Sequence, residues 1–229
     1  MFDILSDGAN LSRILTGLAV TIKIAFVSIF FSMIFGVIFG VLMVSKNIII
    51  RAFFRFYLEV IRIMPPLVLL FLVFFGLPQV SNISLDSTTS AIIVFVLWGS
   101  IEMADLVRGA ILSLPKHQVE SSLALGMSSL MVSKYIILPQ VFIRLLPLAI
   151  NLSSRIIKTT SIAPLIGVVE VLKTGQQIIE YSILKIPDAP FWIYGLIFVL
   201  YFIICYPLSL LSSYLEKKYK QNTMIGALE

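Results

Sequence analysis

The chain carries little charge for its length. Of 229 residues, 13% are Asp, Glu, Lys or Arg, against roughly a quarter in a soluble domain. It has one cysteine, Cys205, inside an apolar run, so neither a disulfide framework nor a cysteine metal site can be built. Its one histidine, His117, has no second histidine or cysteine nearby in sequence and is expected to be a polar loop residue. There is no H-E-x-x-H and no G-x-S-x-G, which argues against an intramembrane enzyme. There is also no G-x-x-x-x-G-K-[ST] phosphate loop, so any ATP hydrolysis must lie on another chain. Low-complexity segments and internal repeats are absent. The N-terminus reads Met1-Phe2-Asp3, without a basic n-region, and the first apolar run exceeds a signal-peptide core; a cleaved signal is not expected.

What the chain has is hydrophobicity: 59% of residues are apolar and the mean hydropathy is +1.04. Apolar runs of about 20 residues recur, enough to cross roughly 30 Å of hydrocarbon as helix. None alternates with the period of two that a membrane barrel needs. The expected fold is all-α and integral to the membrane, a single domain over 1–229. Its five transmembrane helices are expected at about 15–44, 57–80, 87–107, 145–172 and 191–214. Pro65-Pro66 is expected to kink the second span, and Pro164 and Gly167 interrupt the fourth. The cations fall in alternate loops. Lys46, Arg51 and Arg55 follow the first span, and Arg108, Lys116, Lys134 and Arg144 follow the third. Lys217, Lys218 and Lys220 lie in the tail. The loop after the second span has no Lys or Arg, and in the loop after the fourth Glu170, Glu180 and Asp188 outnumber Lys173 and Lys185. The net charge of +5 therefore reflects membrane orientation rather than nucleic-acid binding. The N-terminus is expected outside, the C-terminus in the cytoplasm, and residues 115–140 in the cytoplasm.

That 115–140 segment is a polar island. Pro115 ends one helix. Gln118 to Leu125 then reads as a short amphipathic helix, with Val119, Leu123 and Leu125 apolar and Gln118, Glu120, Ser121 and Ser122 polar. Gly126 suits the left-handed position after a helix end. Met127 to Leu138 forms a second, more apolar piece, and Pro139 is expected to reorient the chain. The order Glu120-Ser121-Ser122, Leu123-Ala124-Leu125, Gly126, nine residues, then Ile136-x-Leu138-Pro139 resembles the EAA loop of permease subunits of bacterial ABC importers. That loop reads E-A-A, three residues, G, nine residues, I-x-L-P; serines stand here for the two alanines. Arg108-Gly-Ala-Ile111 with Leu114-Pro-Lys116 resembles the R-G-G-I…V-P-K of the polar amino acid permeases. Lys158-Thr-Thr-Ser161 with Ile166-Gly-Val-Val-Glu170 resembles their K-[DN]-T-S…I-G-V-x-E. Glu59 to Pro65 resembles their E-x-x-R-x-T-P, with Met64 in place of Thr.

By these residues the chain is identified as a member of the polar amino acid permeases (His/Glu/Gln/Arg/cystine type). The resemblance implies a type I ABC importer permease (MetI-like) fold in a bacterial inner membrane. It implies a second permease subunit, identical or homologous, two cytoplasmic ATP-binding subunits, and an external binding protein that delivers a polar amino acid. ATP and Mg then belong to the ATPase, and this chain binds no cofactor. Residues 120–126 are expected to seat in the ATPase, whose closure rocks the permeases between inward and outward access.

Charge at bilayer depth costs about 2.5–3.5 kcal/mol on insertion scales, so the remaining ionic residues need a reason. Glu59 with Arg62, and Asp105 with Arg108, are spaced i, i+3 and are expected to form structural pairs. Glu102 and Arg155 sit deeper and either line a substrate cavity or pair between helices. As cavity residues, Arg155 takes the substrate carboxylate and Glu102 its ammonium group, with Thr159, Thr160 and Ser161 as neighbouring hydroxyls. Lys158 stands between packing and pathway. Intramembrane Glu and Arg also suit a stand-alone ion-coupled secondary amino acid transporter; the short chain, the lack of an inverted repeat and the island argue against it. Gly36-x-x-x-Gly40 allows close helix approach, expected within the subunit ahead of a dimer contact. Trp98 and Trp192 are expected as interfacial aromatics.

Overall fold

A computed structural model describes the backbone of residues 9–225 and the side chains through residue 219. The expectations for Met1-Phe2-Asp3 and for Lys220 lie outside the described residues. The helices are α1 (Asn10–Met43), α2 (Ile48–Ile63), α3 (Pro66–Ser81), α4 (Ser87–Leu112), α5 (Lys116–Ala124), α6 (Ser129–Ile166), α7 (Val171–Ser182) and α8 (Ala189–Ile225). There is no strand among the described residues. Among the described residues four helices are long and apolar enough to cross a membrane: α1, α4, α6 and the Ala189–Tyr219 part of α8. The pair α2 and α3 makes a fifth span if taken as one broken crossing, bent by 100°. The chain is thus an all-helical, multi-pass membrane protein.

The bend falls at Pro65-Pro66, where a kink in the span at 57–80 is expected, and it is large. Met64 is extended (φ −74, ψ 125), and Pro65 follows suit (φ −58, ψ 135). A residue before proline is pushed out of the helical region, and here two consecutive residues precede prolines. The helix therefore stops at Ile63 and restarts in a new direction with Pro66 in its first turn. Upstream, the Asn47 side chain starts α2 by accepting hydrogen bonds from the amides of Ile49 and Ile50.

Helices α1 and α4 form the closest contact of the fold. Ser28, Ser32, Gly36 and Gly40 recur every four residues along α1, and all four are buried. Small residues at this spacing let two backbones approach in lipid, where packing rather than hydrophobicity drives association. Facing them are Gly99, Met103, Ala104 and Val107 of α4, and the Ser32 hydroxyl donates to the Phe95 carbonyl at 3.4 Å. Gly36-x-x-x-Gly40 thus works inside the subunit. At its N-terminus α4 is capped by Asp86, whose side chain accepts from the Thr89 amide at 2.9 Å. Hydrogen bonds from Thr89 hold the Asp86 carboxyl below its ordinary value. The cap is therefore complete above the ordinary aspartate range and is lost as pH falls through the lowered value.

Two further boundaries differ from the sequence expectation. The helix that holds the fourth span begins at Ser129, well before 145, because the second piece of the island runs straight into it through a π turn at Ser133–Ile137. The turn shifts the hydrogen-bond ladder by a residue, so Pro139, in the first turn of the segment that follows, is absorbed without a break. At the other end, residues 160–166 tighten into a 3₁₀ turn, and Gly167 (φ 91) stops the helix. Residues 173–182, expected as loop, belong to α7. Val171, Ile178 and Ile179 pack with Ile14 of α1 and Ile193 and Ile197 of α8.

Candidate functional site

The island residues come together as α5 and its closing turn. Helix α5 leaves Pro115 and ends in a Schellman motif at Gly126 (φ 85). The Gly126 amide donates to the Leu123 carbonyl at 3.0 Å and the Met127 amide to the Ser122 carbonyl at 3.2 Å. Ser122 occupies one of the two alanine places and is buried; its hydroxyl donates to the Gln118 carbonyl at 2.6 Å. Ser121, the other, faces outward with Glu120 and Ala124. Leu123 is 45% and Leu125 85% exposed, which leaves an apolar edge beside the Glu120 carboxylate. Two straps hold this surface to the spans. The Gln140 amide donates to the Gln118 side-chain oxygen at 2.9 Å. The Arg144 guanidinium donates to the Ser113 carbonyl at 3.1 Å and hydroxyl at 2.8 Å. Neither strap was apparent from sequence, because each joins polar residues more than 20 positions apart.

The membrane charges form one network across α2, α4 and α6. Arg155 donates to the Glu102 carboxylate at 2.7 Å. Glu102 also lies 4.0 Å from Arg62, which donates to Asp105 at 2.6 Å. Asp105 in turn accepts from Arg108. The expected Glu59–Arg62 pair is replaced by Arg62–Asp105. Among the described residues no cation lies within 4.0 Å of the Glu59 carboxylate. Spacing along α2 allowed the local pair, but the carboxylate on the neighbouring helix offers Arg62 a better-placed acceptor. Glu102 is the most enclosed member, with 16% of its side chain exposed, whereas half of the Arg155 side chain remains open. The Trp98 ring lies 5.8 Å from the Arg155 guanidinium and steadies it from one side. Trp98 is half-buried in the packing of α4, not at a span end.

Lys158, Thr159 and Ser161 line a shallow open pocket with Pro65, Pro66 and Leu67, at the α2–α3 break. The Thr159 hydroxyl donates to the Arg155 carbonyl at 2.9 Å and that of Ser161 to the Lys158 carbonyl at 2.8 Å. Thr160 differs from its neighbours. It is fully buried, and its hydroxyl donates to the Ile157 carbonyl at 2.7 Å, so it does not line the pocket. The tightened helical turn rotates it inward.

In sequence Glu170 is one of several loop charges and the last residue of the Ile166-Gly-Val-Val-Glu170 run that resembles the polar amino acid permeases. It is fully buried, and its side chain accepts from the Lys173 amide at 2.9 Å, the Thr21 hydroxyl at 3.0 Å and the Tyr201 hydroxyl at 3.4 Å. It caps α7 and ties it to α1 and α8. The signal available was its place just before a run with helical period. Glu170→Ala would leave three donors unpaired at a helix start. A loss of about 1–3 kcal/mol is expected, read as a lower unfolding temperature of the purified protein; an unchanged midpoint would contradict it.

The family described as "Binding-protein-dependent transport system inner membrane component" matches residues 32–221. A probable glutamine ABC transporter permease protein of Bacillus subtilis (strain 168) is 30% identical over 209 residues, covering 90% of this chain and 94% of that one. An L-cystine transport system permease protein of the same organism is 34% identical over 202 residues, covering 88% and 84%. A solved amino acid ABC transporter with histidines superposes with a TM-score of 0.82 at 25% identity, covering 91% of this chain and 94% of that one. The MetNI methionine ABC transporter, in an inward-facing form, gives 0.72 at 19% identity over 91% and 96%, a likeness of fold.

Proposed function

Because the chain belongs to the binding-protein-dependent transport system inner membrane component family, we propose that it is the membrane subunit of an ATP-driven importer of a polar amino acid. A second permease subunit, identical or homologous, pairs with it. Two cytoplasmic ATP-binding subunits supply ATP and Mg, which this chain does not hold, and an external binding protein delivers the substrate. The N-terminus lies outside and the C-terminus in the cytoplasm. The observation that carries the proposal is α5, a rigidly strapped short helix whose outer face combines Glu120 with exposed Leu123 and Leu125. Such a surface offers a partner one charge and an apolar edge on a helix tied to α6, which is itself tied to the end of α4. Closure of the ATPase on a pair of these helices would rock the permeases between inward and outward access.

The substrate reading rests on the Glu102–Arg155 pair. An α-amino acid carries a carboxylate and an ammonium group, and a low-dielectric cavity must offer a complement to each. Arg155 and Glu102 satisfy one another at 2.7 Å. A zwitterion entering between them replaces one ion pair by two, with no charge left unpaired. Lys158, Thr159 and Ser161 would face the rest of the substrate; the relatives named for glutamine and L-cystine are consistent with a polar side chain there.

Arg155→Gln is expected to weaken uptake through KM by about 10–100-fold, the loss of a charged hydrogen bond of roughly 1.5–3 kcal/mol. Glu102→Gln should act similarly, with assembly intact. Normal uptake in both variants would remove the pair from the pathway. The class is tested by reconstituting the chain with its ATP-binding and binding-protein partners. Uptake should require ATP; uptake driven by a proton gradient without the ATPase would make the chain a secondary transporter.

A further inference from the structure

Helix α2 has three distinct faces. Leu58 and Ile61 are buried in the core. Ile49, Phe53, Phe56 and Ile63 point outward, each more than 60% exposed. Arg51, Arg55, Glu59 and Arg62 fall within an arc of about 80° at 100° per residue. A helix with one outward apolar face and one cationic face suits the boundary between headgroups and acyl chains.

The cationic face does not open onto bulk solvent alone. Arg51, Arg55, Glu59 and Arg62 line a cleft together with Arg108 and Leu112 at the end of α4. Arg62 and Arg108 share the Asp105 carboxylate. Among the described residues, Arg51 and Arg55 have no acidic group within 4.0 Å. Four guanidinium groups against Glu59 and Asp105 leave two positive charges in excess at the mouth of a cleft between helices. The surrounding loop cations assign this end of the spans to the cytoplasmic leaflet.

We propose that this cleft binds the phosphodiester headgroup of an anionic phospholipid. Arg51 and Arg55 hold the phosphate, and the acyl chains lie along the outward Phe53 and Phe56 of α2. Guanidinium groups suit a phosphate because they donate in pairs from a planar fork. The apolar face on the same helix selects a lipid over a soluble anion, because only a lipid occupies both surfaces at once. The site differs from the substrate pair: Glu102 and Arg155 do not line it.

The test uses the full importer complex reconstituted in nanodiscs of equimolar phosphatidylglycerol and phosphatidylcholine, then extracted and weighed by native mass spectrometry. Retained phosphatidylglycerol is expected to exceed phosphatidylcholine by roughly 10–30-fold, from two basic residues acting at a headgroup. Arg51→Gln/Arg55→Gln should bring the ratio close to one, while Lys217→Gln/Lys218→Gln, equal in charge change, should leave it high. Equal ratios in wild type and the arginine variant overturn the proposal, as does a wild-type ratio near one. Should the arginine variant not assemble, wild type alone decides, since headgroup retention must fall as salt screens the arginines; retention indifferent to salt overturns the proposal. Stabilisation of the delipidated complex by inorganic phosphate to the same extent as by phosphatidylglycerol would assign the cleft to a free anion instead. None of these measurements involves ATP or an amino acid, so their failure leaves the importer function untouched.

Discussion

Gly126→Pro is expected to abolish co-purification of the ATP-binding subunit and with it ATP-driven uptake. Gly126 sits at φ 85, and proline fixes φ near −65°. The substitution also deletes the amide that donates to Leu123 at 3.0 Å. The closing turn of α5 cannot form, and the chain from Met127 leaves at a different angle. A Cβ at Gly126 meets nothing within 4 Å, so the damage arises from backbone geometry and is expected to stay at the proposed docking surface. The permease should therefore fold and pair normally while uptake falls by more than about 100-fold, in line with a lost contact of several kcal/mol. Gly126→Asn, whose side chain tolerates the left-handed region, should retain much of the function. Glu120→Lys should lose docking without altering the turn, since Glu120 is exposed. Wild-type co-purification in both Gly126→Pro and Glu120→Lys would show that the ATPase holds another surface.

Gly40→Leu should prevent stable assembly of the subunit itself. A Cβ at Gly40 would sit 2.5 Å from the Val107 Cβ and 2.8 Å from the Ala104 carbonyl oxygen. The second of these is backbone and cannot move aside without displacing α4. Overpacking costs about 1–3 kcal/mol where side chains can yield; here helices must separate, and roughly 3 kcal/mol or more is expected, a fall of about 6–12 °C in unfolding temperature. Gly36→Leu meets Met103 in the same way. Gly109 and Gly195 provide the contrast, because a Cβ at either meets nothing within 4 Å. Gly195→Leu should leave the midpoint nearly unchanged. If thermal unfolding cannot distinguish Gly40→Leu from Gly195→Leu, the α1–α4 contact is not what holds the subunit together.

The fold class was legible because lipid makes a simple demand: about 20 apolar residues per crossing and basic loops on one side. Breaks in the pattern were harder. Pro65-Pro66 announced a kink, but its size depends on Met64 and Pro65 both staying extended, which sequence does not quantify. The π turn at Ser133–Ile137 left no residue signature, so Pro139 looked like a stop. Helix α7 was missed because Lys173, Gln176, Gln177 and Glu180 dominate its composition, while its buried face mixes Val171, Ile178 and Ile179 with the small or polar Thr174, Gly175 and Ser182. At the candidate site, the residue types at 102, 105, 108 and 155 stood out by their cost in the membrane. The Asp105–Arg108 pair followed from its spacing, and Glu102–Arg155 was one of two readings, but the Arg62–Asp105 bridge was not legible, because a spacing of i, i+3 describes one helix and Arg62 reaches for another. Thr160 was grouped with Thr159 and Ser161 as a hydroxyl neighbour, but successive residues on a helical turn face different ways, and only the outer two line the pocket.

Left-handed glycines, Gly126 and Gly167, bracket the two ends of α6, 38 residues long. At 1.5 Å per residue it spans about 57 Å. Moving as one piece, a helix of that length would turn a tilt of about 5° at the end beside α5 into a sweep of roughly 5 Å at the far end, comparable to the size of a small solute. In the proposed importer, amplitude would come from helix length, and the ATP-binding subunits would need only a small stroke.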